Sequence, residues 1–222
     1  MRRGVRGVLT PALLGLAAVL ATAQPAFAHQ PFFEEANLTP EKPWHIRDPL
    51  VSTAVYATLD PAGDVDYFAF EGQAGQSIYL GLVIPQIAGQ EEFAPALALL
   101  GPGLPEPRVP AEVVLPPGAG AREIPRLTGP TTTFYEPFTR TSYWERQDDH
   151  VTLPADGRYV VAVWHPERET GRYVMVIGER ERLGGDIRFM SKMKRYWTPV
   201  GEEPAPAPGF LTRLLGFFGV GK

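Results

Sequence analysis

The sequence predicts an all-β protein, a jelly-roll-like antiparallel β-sandwich, and three observations predict it. Residues 64–84 read DVDYFAFEGQAGQSIYLGLVI, where Phe68 and Phe70 share one face and Ile78, Leu80, Leu82 and Ile84 share another. That period of two is the mark of half-buried strands. Two later stretches, RYVVAVW at 158–164 and GRYVMVIG at 171–178, alternate in the same way. Finally, 24 prolines and 23 glycines fall between short apolar runs without a repeat. This distribution suits many turns and argues against a helical bundle.

Taken in order, residues 29–37 (HQPFFEEAN) form a short arm and residues 38–49 are irregular, with three prolines. Residues 51–59 are rich in β-branched and aromatic side chains and make the first strand. Asp60 to Asp64 is a turn. Two strands follow, 65–70 and 77–84, joined by a reversal for which Gly72 and Gly75 supply the conformational freedom. Residues 96–100 and 113–115 are short strands, and the proline- and glycine-rich residues 116–130 are a surface loop. A further strand falls within 131–143, broken by Pro137. Pro154-Ala155-Asp156-Gly157 is a strong turn signal. The strands 158–164 and 171–178 are expected to pair antiparallel across the 165–170 loop. Residues 186–190 suggest a last strand and 191–197 a helical turn.

The two ends read differently. Residues 1–28 have the form of a secretory signal peptide: Arg2, Arg3 and Arg6, then an apolar stretch at 12–21, then Ala26-Phe27-Ala28 as a small-x-small cleavage signal. The apolar stretch is short for a membrane span. Cleavage after Ala28 makes His29 the first residue. It removes three of the 21 basic side chains and none of the 25 acidic ones, so 18 remain against 25, a net charge of −7. That balance disfavours nucleic acid and anionic membranes as partners. The chain has no cysteine, so neither disulfides nor a lipid-modified cysteine hold it. The expected organisation is an arm at 29–49, a single sandwich domain at 50–200, a stiff proline-rich linker at 201–208 and an amphipathic tail at 209–222. In that tail Phe210, Leu211, Leu214, Leu215 and Phe218 stand at helical spacing. It is too short to cross a bilayer, but suits an interface or a partner surface.

The 64–80 stretch resembles the core motif of bacterial pre-peptidase C-terminal (PPC) domains, roughly D-x-D-x-[YF]-x-F-x-x-x-x-G-x-x-[IL]. Asp64, Asp66, Phe68, Phe70 and Gly75 fill those places. LALLGP at 97–102, LPADGRYVV at 153–161 and GRYVMV at 171–176 resemble later pieces of that fold, in the same order. The resemblance covers about residues 50–178. It implies a secreted, non-catalytic sandwich of a kind often appended to hydrolases, some members of which bind calcium, collagen or polysaccharide. This chain departs from the pattern in its long 101–143 insertion, its lack of an attached enzyme domain and its unmatched end segments. The ligand is therefore not carried over.

Few residues point to chemistry. Asp60, Asp64 and Asp66 surround the Gly63 turn and are candidate Ca²⁺ ligands, because calcium takes carboxylates and carbonyls from flexible loops. Turn capping is the plainer role for such residues. His29, as a mature N-terminus, would offer an amine and an imidazole to copper, with His45, His150 and His165 as the available second ligands. Tyr143 and Trp144, in a polar setting with Arg140, Glu145 and Arg146, are candidate ligand-binding aromatics. Trp164, in an apolar strand, reads as core. No nucleophile motif occurs. The adjacent acids Glu34-Glu35, Glu91-Glu92 and Asp148-Asp149 diverge on an extended chain and read as solvated surface. The expectation is a secreted or periplasmic binding module, not an enzyme, with polysaccharide, an envelope polymer or a secreted or envelope protein as ligand and Ca²⁺ as the candidate cofactor. A copper protein using His29 is one alternative. An envelope structural protein tethered at a membrane by its tail is the other.

Overall fold

The computed structural model describes residues 29–127, 131–136 and 139–201. The signal-peptide reading of 1–28, most of the 201–208 linker and the 209–222 tail fall outside them. Two sheets face one another. The first has the order β1 (Gln30–Phe33), β3 (Thr53–Leu59), β11 (Gly171–Ile177), β5 (Ser77–Pro85), β9 (Thr141–Thr152) and β8 (Thr133–Glu136). The second has β2 (Trp44–His45), β4 (Val65–Gly72), β10 (Gly157–Trp164), β6 (Ala96–Gly101) and β7 (Gly120–Glu123). The helix α1 (Phe189–Tyr196) follows the last strand. The chain is thus an all-β sandwich. All pairs are antiparallel except the two at one edge, where β1 runs parallel to β3 and β2 parallel to β4.

Alternation explains the interior. Phe68 and Phe70 of β4, the four aliphatics of β5, and Tyr159, Val161 and Val163 of β10 meet Val55, Leu59, Tyr173, Met175 and Ile177 between the sheets. At one end the Tyr159 ring fills the space a side chain at residue 101 would need: a Cβ on Gly101 would lie 2.2 Å from it. The Tyr159 hydroxyl lies 2.8 Å from the Ala155 carbonyl and 3.0 Å from that of Pro102 and donates its one proton between them, so the ring is seated and its polar end satisfied. Both outer faces are also partly covered. Val113, with Val109 and Leu115, packs on the alanine-rich back of β6 and β10. Trp164 is buried there, under this loop and not between the sheets. On the first sheet, Phe189, Met193 and Tyr196 of α1 lie against Phe33, Tyr56, Tyr143 and Val174.

Several expectations change. β10 and β11 do not pair with each other. Each is central in its own sheet, so the 165–170 loop crosses the sandwich. β4 and β5 are likewise in opposite sheets. Residues 113–115 form no strand, because their work is to cover the second sheet, while β7 arises inside the stretch read as a loop. Residues 186–190 are turn and helix rather than strand, since Phe189, Met193 and Tyr196 fall on one helical face. The arm at 29–49 supplies two edge strands, β1 and β2, to the sandwich.

Candidate functional site

The parallel edge is where the molecule is concave. After β1 the chain loops out through residues 34–43 and returns as β2. Leu38 anchors this loop: its side chain is buried and its carbonyl accepts the Tyr67 N–H. On the other side, residues 182–187 run back along β1. Asp186 N–H donates to the Pro31 carbonyl, and the Gln30 side-chain amide donates to the carbonyls of Arg182 and Leu183. Gly185 is required here. Its φ is +107°, and a Cβ would lie 2.4 Å from Pro31 Cδ. Lys192 of α1 closes the arrangement, donating to Glu35 at 2.5 Å and Asp186 at 2.6 Å. The pairing holds the Asp186 carboxyl below its ordinary range and raises the Lys192 ammonium.

Between these walls lies an open cleft of about 770 Å³. Phe32 and Trp44 form its aromatic floor, their rings 5.1 Å apart and tilted by 53°. Lys42, His45, Ile187 and Arg188 stand exposed at its rim. A second cleft of about 540 Å³ shares Phe33, Glu35 and Lys192 with the first and reaches Glu34, Thr58 and Arg172.

Behind the second cleft lies an acidic pair. Glu34 accepts the Thr58 N–H at 2.9 Å, and burial, opposed by that bond, lifts its carboxyl to about 7. Asp66 is wholly buried and accepts the Tyr173 hydroxyl at 2.6 Å. Burial first, then the neighbouring Glu34, pushes its carboxyl up to about 8. Its Oδ1 has no hydrogen-bond partner among the described residues. Desolvation of the charged form outweighs the Tyr173 bond, so burial favours the protonated form of Asp66.

The residues singled out from sequence fall in separate places. Asp66 is inside, next to Tyr173. Asp64 caps the turn, accepting the N–H groups of Asp60 and Val65. Asp60 is exposed. His29 pairs through Nδ1 with the hydroxyl of Ser52, which is buried and lines neither cleft. His45 is at the cleft rim, His150 pairs with Glu179, and the buried His165 stacks on Phe93. Among the described residues, no three acids or histidines are grouped to hold a metal ion. Tyr143 is buried under α1, its hydroxyl 3.2 Å from that of Tyr56. Trp144 is half-buried against the core with Arg146 over its ring. The two residues point to opposite sides of one strand and cannot share a binding face. The cleft itself was not read from sequence. Its signals, the aromatic Phe32 and Trp44, sit 12 residues apart on two short edge strands with no alternation to join them.

No protein-family model matches the chain, and no curated protein matches it. Among the described residues no helix is long and apolar enough to cross a membrane. Solved structures similar to it include two periplasmic inhibitors of g-type lysozyme. The one from Salmonella Typhimurium is 14% identical, covering 61% of this chain and 96% of that one at a TM-score of 0.36. The one from Aeromonas hydrophila is 11% identical, covering 68% and 98% at 0.36. The pre-peptidase C-terminal domain of a Bacillus anthracis collagenase is 13% identical, covering 64% and 99% at 0.35. A domain of the family the sequence resembles is therefore among the solved structures similar to this chain.

Proposed function

We propose that the protein is an exported, non-catalytic binding module that takes a segment of a secreted or envelope protein into the cleft between β1, β2 and α1. The observation that carries this reading is the cleft's position at an edge of both sheets. Trp44 and His45, which are all of β2, both line it, and among the described residues β2 has no strand on its outer side. An extended peptide can add its backbone to such an edge while alternate side chains fill pockets beside it. Phe32 and Trp44 supply apolar surface for those side chains, and Lys42 supplies charge at the rim. Polysaccharide is less well served. Stacking on sugar rings needs flat, accessible aromatic faces, and here the two cleft rings tilt against each other. The Ala26-Phe27-Ala28 signal supports export.

Photo-crosslinking tests the proposal. A benzoylphenylalanine at position 45 should trap one protein species in the exporting cell that the same probe at position 106, in the loop beside β7 at the far edge of the second sheet, does not. Trp44→Ala should then weaken binding of the purified partner by about tenfold or more, as loss of a buried aromatic anchor does. Equal trapping at both positions, or retention of glycan and no protein, overturns it.

A further inference from the structure

Beside the cleft is a strip with a different character. Leu183 is 89% exposed, Ile187 99% and Met190 63%. Such exposure of three neighbouring aliphatic side chains is costly unless something covers them. They are not loosely held. Asp186 and Gln30 fasten the backbone of this turn to β1, and Gly185 fixes its path against Pro31. Met190 stands on the flank of α1, exposed beside the buried face of Phe189, Met193 and Tyr196.

The charge around these side chains is opposite to that of the molecule. Within residues 180–195, Arg180, Arg182, Arg188, Lys192, Lys194 and Arg195 outnumber Glu181 and Asp186 by four, in a chain whose net charge is −4. Asp186 is already neutralised by Lys192, and Arg180 by Asp48. Glu181 lies within electrostatic reach of His29. Arg182, Arg188 and Arg195 are exposed and form no ion pair among the described residues.

We propose that this strip docks on an anionic lipid surface, with Leu183, Ile187 and Met190 entering the headgroup layer and the surrounding cations meeting lipid phosphates. The complementarity is specific. Aliphatic side chains that protrude singly, with basic residues between them, match an interface that is soft, apolar beneath and negatively charged above. A protein hot spot instead favours aromatic anchors seated in pockets. The acidic balance of the whole chain argues against an anionic membrane only if charge is spread evenly, and here it is not. Docking through this strip would leave the mouth of the neighbouring cleft beside the bilayer.

Sedimentation with vesicles tests this, using the chain from His29 onward so that residues 1–28 contribute nothing. Vesicles of phosphatidylcholine with roughly a third phosphatidylglycerol should bind the protein, and phosphatidylcholine alone should not. The double substitution Leu183→Asp/Met190→Asp should weaken that binding by about tenfold or more while leaving the melting temperature unchanged. Neither residue lines the cleft, so the variant should still bind the cleft's protein ligand, and failure of one reading is separable from failure of the other. Arg188→Glu/Arg195→Glu should weaken vesicle binding as strongly, and added salt should abolish it. Binding of the aspartate variant equal to that of the parent would place the lipid contact elsewhere, in the 209–222 tail, and overturn the proposal. So would equal binding to both vesicle types, or no binding together with dimerisation that the aspartates abolish, since a second copy would then cover the strip.

Discussion

Asp66 and Glu34 place two carboxyls where water does not reach them freely, and their cost depends on pH. Both titrate near pH 4 in an unfolded chain, about 4 for either residue type, and at about 8 and about 7 when folded. Because the folded values are raised, the unfolded chain gives up these protons first. The favourable contribution of the protonated groups is complete below about pH 4 and is lost as pH rises toward 8. The melting temperature should therefore fall between pH 5 and pH 8. Asp66→Asn keeps an acceptor for the Tyr173 hydroxyl and carries no charge. It should raise stability at pH 8 by on the order of 1–3 kcal/mol and change little at pH 5. A parent protein whose melting temperature is level across that range would contradict this account. The burial of Asp66 was legible, because strand alternation puts it on the same face as Phe68 and Phe70. Grouping it with Asp64 missed this, since Asp64 stands before β4 begins and is taken up by capping the turn, so strand alternation does not carry it inside. Glu34 was not legible. Beside Glu35 it reads as solvated surface, and its partner, the Thr58 N–H, is known only once β1 lies on β3.

At the scale of elements, α1 is held by one face. Phe189, Met193 and Tyr196 fill the hollow over Phe33, Tyr56 and Tyr143, while Lys192 ties the helix to the arm. Phe189→Ala should cost about 3 kcal/mol in a denaturant melt. Met190→Ser, one residue on, should stay within about 0.5 kcal/mol. Comparable losses at both positions would mean that α1 does not dock in this orientation. Strands β4, β5, β10 and β11 were legible because alternation or apolar content is a local property. Their partners were not. Residues 73–76 and 165–170 look like hairpin turns, yet each bridges the ~10 Å between packed sheets, a choice made by the core and not by the turn. β7 was hidden for another reason: four residues, GARE, carry too little pattern to stand out within a loop rich in proline and glycine.

For the whole molecule, coverage is uneven by design of the chain. The 102–119 loop shields the second sheet, and the C-terminal segment shields the first. A chain ending at Arg180 would retain the eleven strands of the described residues but expose Tyr56, Tyr143 and Val174. It should bind a hydrophobic dye such as ANS and melt well below the parent; a shortened chain with parental stability and no dye binding would show that α1 is dispensable cover. The central positions of β10 and β11 have a further consequence for how the chain is delivered. Each sheet closes around a strand that arrives near the end of synthesis: β3 and β5 are joined by β11, and β4 and β6 by β10. If the chain is exported as proposed, N-terminus first, the second sheet cannot be continuous on the far side until residue 164 has emerged, nor the first until residue 177. Its folding then comes as one late, cooperative event dominated by long-range pairing, which is intrinsically slow.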